Sequence, residues 1–269
     1  MSGEGIFEAL SGQILGNASS TETLVMVHGF GTDQTIWHNL IPVLSCCFKL
    51  VLFNLAFARN VSPGLYSAAK YSTFSAYADD VVCVLQELNL TKVHYLGHSM
   101  AAMIGCIAAI KEPQRFKQLI LLGGSPMYLN DFATGYYGGF TLDEVNGLFA
   151  AMQSNYIGWC EAFPPEVIIM NNKSAITEFQ NDLLSMDPAT TLSCAKVVFL
   201  DDNRSYLPQV TTPTHILNSK YDVVVPGSVA LYMKKQLGGT LTYTIIDSEG
   251  HFPMLTAPDL LLANLKPIL

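Results

Sequence analysis

The sequence predicts an α/β fold, a mostly parallel doubly wound sheet carrying an inserted block of four helices. Two observations predict it. Short, near-continuously apolar runs alternate with segments of helical spacing, as strands buried on both faces and their crossover helices do. Between about Asn130 and Asn203 the alternation stops, only helical patterns remain, and the strands then resume. The chain has 269 residues, 50% hydrophobic and 13% charged, which suits one large domain with an insert better than a charge-patterned or disordered chain.

The elements follow in order. Thr23–Val27 is an apolar strand that runs into the loop His28-Gly29-Phe30-Gly31. Lys49–Leu55 is a second strand. Tyr71–Leu88 places Phe74, Tyr77, Val81, Leu85 and Leu88 on one helical face. Lys92–Leu96 is a third strand, after which Gly97 begins a sharp turn into a small-residue helix, Met100–Ile110. Phe116–Leu122 is a fourth strand. The insert contains helices at Leu142–Met152, Asn155–Ala162, Ser174–Ser185 and Ala189–Phe199, punctuated by Pro164-Pro165 and Asp187-Pro188. The strand at Thr214–Asn218, the helix at Ser228–Leu237, the strand at Leu241–Ile246 and a last helix near Pro258–Leu265 complete the pattern. Residues 1–129 and 204–269 are therefore expected to form the core, with 130–203 a helical lid over the C-terminal edge of the strands, where open α/β sheets bind ligands.

Composition excludes several function classes. Net charge is −8, and the 14 Lys and Arg residues are not clustered, which argues against nucleic-acid binding. No apolar run reaches the ~18–20 residues of a membrane span. Met1 to Leu15 has no basic region before an apolar stretch, so no secretory leader is expected there. Cys46, Cys47, Cys83, Cys106, Cys160 and Cys194 form no CxxC pair, and the adjacent Cys46 and Cys47 are read as small apolar residues rather than a redox pair. No metal motif or phosphate loop occurs, so neither metal nor cofactor is expected.

The chemistry lies at the strand ends. Gly97-His98-Ser99-Met100-Ala101 follows a strand and opens a helix, the context of a nucleophile elbow. Ser99 is the expected nucleophile, with small neighbours at Gly97 and Ala101 that a sharp turn requires. A serine nucleophile needs a base, and the base needs an orienting acid. Asp222 follows the strand at Thr214–Asn218 and His251 follows the strand at Leu241–Ile246, giving the chain order Ser, Asp, His on the same sheet edge. Asp202 is a competing acid but falls in the lid. Oxyanion donors are expected at the amides of Phe30 and Met100. His28 is expected to hold its loop and His98 to be structural, while His38, His94 and His215 show no partner pattern. The lid is crowded with aromatic residues and poor in charge, which favours a pocket for a mainly apolar small molecule.

Several strings together resemble a known family. His28-Gly29-Phe30-Gly31-Thr32-Asp33-Gln34 with Trp37, Gly97-His98-Ser99 with Ala102-Met103-Ile104-Gly105, Ser154-Asn155-Tyr156 with Trp159-Cys160, and Gly250-His251 look like the plant strigolactone- and karrikin-receptor α/β-hydrolases. The similarity spans nearly the whole chain, lid included. It implies an α/β-hydrolase fold and a butenolide receptor with slow serine-hydrolase activity on ester or lactone bonds. It also implies ligand-dependent recruitment of an F-box protein and its degradation targets. A monomer is expected because nothing in the sequence demands more, and a cytoplasmic and nuclear location is the default expectation, reinforced by the family. Carried over by position, the pocket residues are Phe30, Tyr128, Phe140, Trp159, Phe163, Phe179, Phe199, Val224 and Phe252. The chain departs from the family at Phe53–Asn60, which replaces an acidic, Gly-containing loop, and at Phe132–Tyr137, which looks about two residues longer. An ordinary serine esterase or lactonase without a signalling partner is the alternative, and a binding protein with a vestigial triad is a third reading.

Overall fold

A computed structural model describes residues 5–169 and 171–269. The first four residues of the expected core segment, and Met170 of the expected lid segment, lie outside the described residues. Strands β1 (Gln13–Gly16), β2 (Thr23–Val27), β3 (Lys49–Phe53), β4 (Val93–His98), β5 (Phe116–Leu122), β6 (Thr214–Tyr221) and β7 (Leu241–Glu249) form a single sheet in the order β1-β3-β2-β4-β5-β6-β7. Every pair is parallel except β1 with β3. Residues of β2 and β4 are buried along their whole length, which is why these strands appear as unbroken apolar runs.

The sheet differs from expectation at several places: β6 runs on to Tyr221 and β7 to Glu249, and three further differences have a local reason. β1 escapes sequence reading because it is a four-residue, mostly exposed edge strand without alternation. β3 stops at Phe53 rather than Leu55. Asn54 turns out to accept from the Gln34 amide at 2.9 Å, and the Leu55 amide donates to His28 Nε2 at 2.8 Å instead of joining the sheet. β4 does not end before Gly97 but continues through His98, with Gly97 opposite Leu121 and His98 opposite Leu122, so Ser99 itself makes the turn. His94 and His215, expected to lack partners, belong to a polar chain across adjacent strands. Glu22 and Gln118 engage His94 at 2.7 and 2.8 Å, and Gln118 reaches His215 at 3.3 Å.

The helices of eight residues or more are α1 (Phe74–Glu87), α2 (Met100–Lys111), α3 (Leu142–Ser154), α4 (Tyr156–Ile168), α5 (Lys173–Leu184), α6 (Pro188–Leu200), α7 (Gly227–Gln236) and α8 (Pro258–Leu265). The segment containing α3–α6 adds no strand to the sheet. Side-chain oxygens of Thr141, Asn155, Asn172 and Asp187 cap its four helix N-termini, each cap worth about 1 kcal/mol. Asp187-Pro188 marks a helix start, as expected. Pro164-Pro165 does not mark an end. Both prolines lie inside α4, which continues to Ile168 rather than stopping at Ala162. The last turn is held from outside, because the His251 amide donates to Val167 O at 2.9 Å. No single helix among the described residues is long and apolar enough to cross a membrane.

A buried ion cluster joins lid and core. The Arg59 guanidinium lies between Asp33, which follows the early loop, and Asp182 on α5, with Nη2 3.0 Å from Asp182 Oδ1. Burial raises the Asp33 carboxyl, but hydrogen bonds from Thr35 and Arg59 outweigh it and hold the group below its usual range. Burial and then the charge of Asp33 push Asp182 up to about 7, against the pull of Arg59. The folded Asp182 therefore binds its proton more tightly than the unfolded one, whose pKa is about 3.9, and stability falls as pH rises between these two values. Asp182→Asn keeps an oxygen for Arg59 and removes the titration. Its melting temperature should gain on the wild type as pH is raised from about 4.5 to 7.5; a difference that stays constant across a thermal series would contradict the assignment.

Candidate active site

The strand-to-helix turn forces an unusual backbone at Ser99, with φ 56° and ψ −123°. A side-chain-bearing residue in this region costs on the order of 1–3 kcal/mol and persists only where its surroundings fix it. Here the Ser99 amide donates to Leu122 O at 2.8 Å, and the buried Tyr95 hydroxyl donates to Ala101 O at 2.9 Å. Met100 is the first residue of α2, so its N–H is among those a helix leaves without an internal acceptor. The loop His28–Gly31 packs directly on this turn. A Cβ on Gly29 would stand 2.9 Å from both His98 Nδ1 and Ser99 Cβ, so only glycine allows the approach.

Two buried histidines brace the site. His28 Nδ1 donates to Gly29 O at 2.9 Å while Nε2 accepts from the Leu55 amide. Burial pushes its pKa down to about 4, which keeps the ring neutral and both nitrogens occupied with loop backbone. His98 Nε2 donates to His251 O at 2.9 Å, and burial holds it well below the usual imidazole range.

Asp222 follows β6 directly. Its Oδ1 accepts from the amides of Val224 and Val225 at 2.8 and 3.1 Å, and its Oδ2 accepts from His251 Nδ1 at 2.8 Å. This places the proton on Nδ1 and leaves Nε2 as the free base nitrogen, aimed into the cavity beside Ser99. Asp202 is engaged elsewhere, with Oδ2 2.7 Å from Arg204 Nη2, and that hydrogen bonding lowers its pKa. Ser99 Oγ is hydrogen-bonded to the Tyr128 hydroxyl at 3.2 Å, whereas His251 Nε2 has no hydrogen-bond partner among the described residues. The Asp–His half of the arrangement is thus assembled and the Ser–His half is open.

His251 is also where the lid meets the base. Gly250, at φ +85°, lies against the end of α4, and a Cβ there would stand 2.2 Å from Ile168 O. The neighbouring His251 amide makes the bond to Val167 O described above.

Two cavities lie under the lid. The inner one, about 20 Å³, is lined by Ser99 and His251 together with Phe30, Tyr128, Phe163, Phe179, Phe199, Val224 and Phe252. The outer one, about 780 Å³, runs between α3 and α4 and includes Phe140 and Trp159 in its wall. Seven of the nine expected pocket residues therefore surround Ser99, and the other two line the outer groove. Phe163, Val167 and Val224 border both spaces and form the partition between them. Val167 and Val198 also line the inner cavity and were not expected. Aliphatic lid residues carry no chemical mark, although Val167 lies one helical turn beyond Phe163 and that spacing signals a shared face.

Residues 22–258 match the model of the alpha/beta hydrolase fold family. The chain is 41% identical over 256 residues to karrikin insensitive 2 receptor CA of Petunia hybrida, covering 95% of this chain and 93% of the relative. It is 38% identical over 258 residues to strigolactone esterase D14 of Arabidopsis thaliana, covering 96% and 95%. The chain belongs to the strigolactone- and karrikin-receptor branch of the alpha/beta hydrolases. A solved hydrolase from Oleispira antarctica is similar across 98% of this chain and 95% of its own, with a TM-score of 0.93 at 28% identity. The fold class and the family resemblance expected from the sequence both agree with these matches. In this hydrolase-family chain the link between lid and base makes a test. Gly250→Ala should lower the melting temperature through a backbone clash costing about 1–3 kcal/mol. Because it also displaces His251, it should reduce ester turnover by more than about tenfold. Unchanged hydrolysis in the folded variant would show that the link does not position the base.

Proposed function

We propose that the protein is a butenolide receptor with serine-hydrolase activity, acting on ester or lactone bonds of a mainly apolar small molecule. The observation that carries this reading is the placing of Ser99 and the Asp222-paired His251 in one aromatic chamber, in a chain that resembles named strigolactone esterases and karrikin receptors along nearly its whole length.

In the proposed reaction Ser99 turns toward His251, Nε2 takes the hydroxyl proton, and Oγ attacks the carbonyl carbon. The carbonyl π electrons move to oxygen, and the amides of Phe30 and Met100 are the proposed donors to that oxyanion. Collapse breaks the bond to the leaving oxygen, which takes the proton held on Nε2. Water, deprotonated by the same nitrogen, then releases the acyl fragment and restores Ser99. Asp222 holds the ring and stabilises its charged form during each transfer.

The cavities support slow turnover. A chamber of about 20 Å³ has no room for a ring, whereas the groove outside it holds about 780 Å³. A ligand that reaches Ser99 must displace the partition at Phe163, Val167 and Val224, so lid movement enters every cycle. The proposed signalling step recruits an F-box protein and its degradation targets through the lid. Leu142, Ile157 and Leu200 expose 55%, 63% and 43% of their surface there, which is compatible with a partner face.

The test uses each enantiomer of a synthetic butenolide strigolactone analogue, with product release and melting temperature followed together. Slow release with an enantiomer-selective melting shift is expected from the wild type. Ser99→Ala and His251→Ala should lose on the order of 10⁴-fold or more in turnover. Rapid cleavage of simple esters without any butenolide-dependent shift would instead identify an ordinary esterase. Phe163→Ala joins the two cavities and should raise kcat/KM for bulky acyl esters by about tenfold relative to acetate esters; an unaltered preference would remove Phe163 from the partition.

A further inference from the structure

Ser99 and His251 share no hydrogen bond in this structure, and Ser99 Oγ is hydrogen-bonded to one other side chain instead. We propose that Tyr128 is a positioning residue that clamps Ser99 Oγ away from His251, so that releasing this hydrogen bond is part of the acylation barrier. The inference rests on the reading of Ser99 as the nucleophile and goes beyond it.

Tyr128 leaves the end of β5 and turns its ring under the lid, where it is 1% exposed and packs on Phe199 of α6 with ring centroids 5.5 Å apart. Its hydroxyl lies 3.2 Å from Ser99 Oγ. Burial pushes the phenol well above its ordinary pKa, so it stays a neutral O–H at every working pH. A buried hydroxyl whose hydrogen bond is lost costs free energy, so the pair holds itself together. His251 meanwhile points an unpaired Nε2 into the same chamber, with its orientation already fixed by Asp222. The base is ready and the nucleophile is turned toward another group.

This ordering has a kinetic consequence. A hydrogen bond present in the resting state and absent when Ser99 engages Nε2 stabilises only the ground state, and so slows the first chemical step. Neutral hydrogen bonds of this kind correspond to roughly two- to tenfold in rate. The clamp also has a natural release. Because the Tyr128 ring packs on Phe199, a ligand entering between α6 and Ser99 shifts the ring and frees Oγ beside the carbonyl it is to attack. Seating of the ligand and arming of the nucleophile then become one event.

The test measures acylation of the whole protein by a fluorophosphonate probe and by p-nitrophenyl acetate, with the modified residue mapped by mass spectrometry. Tyr128→Phe removes one oxygen and leaves the packing on Phe199. It should raise the rate of Ser99 modification and the kcat for the acetate by about two- to tenfold with KM unchanged, and lower the melting temperature slightly because buried Ser99 Oγ loses its partner. A merely structural role would not raise kcat while leaving KM fixed, so the split between the two separates a clamp from loosened packing. If the wild type is modified at Ser99 but Tyr128→Phe reacts at an equal or lower rate, the clamp is overturned and the nucleophile assignment stands. If Ser99 is not modified in the wild type, both are overturned.

Discussion

Everything in the site depends on one strained residue. Ser99 occupies φ 56° because a strand must turn at once into a helix, and nothing in the local sequence favours that backbone. The neighbourhood enforces it through the Leu122 carbonyl, the Tyr95 hydroxyl and the close backbone approach at Gly29. The same constraint that lifts Oγ above the sheet places the first free amide of α2 beside it. Backbone strain, the lifting of Ser99 Oγ and the placing of the Met100 amide are therefore one structural event, and a residue that relaxed the turn would remove all three.

Much of this was legible in the sequence because each part leaves a mark of its own kind. Gly97-His98-Ser99 between an apolar run and a small-residue helix marks the elbow, and Asp222 and His251 stand after later strands in the order the topology requires. His28 and His98 could be set aside as structural, and His28 spends both ring nitrogens and His98 its Nε2 on backbone atoms. What escaped was decided by tertiary contact. β1 is too short and exposed to show a period. Pro164-Pro165 would end an isolated helix, but the bond from the His251 loop holds the final turn of α4. His94 and His215 find partners only because β4, β5 and β6 lie side by side.

The aromatic lid shows the same limit at the level of function. Composition favoured a pocket for an apolar ligand and the family resemblance implied most of its walls, yet neither could divide those walls between two spaces. That division is made by α4, whose Phe163 and Val167 face both cavities one turn apart. It turns an open pocket into a closed chamber with an antechamber. Selectivity then depends less on which residues touch the ligand than on how readily one helix gives way.

How readily α4 and its neighbours give way is set by their attachments, and these are of two kinds. α4 is held by a backbone hydrogen bond to the His251 loop, which requires glycine at position 250 but involves no charge. α5 is held by Asp182 against an arginine already shared with Asp33, a carboxylate pair buried around a single cation. One cation cannot fully compensate two buried anions, and the cost appears as a proton held at Asp182 up to about 7. The lid is thus held by a neutral backbone bond where it touches the His251 loop and by a crowded carboxylate pair where it touches the loop after Gly31. The wall shared by the two cavities is carried mostly on α4, so the segment between the outer groove and Ser99 is the one tied by its backbone to the His251 loop.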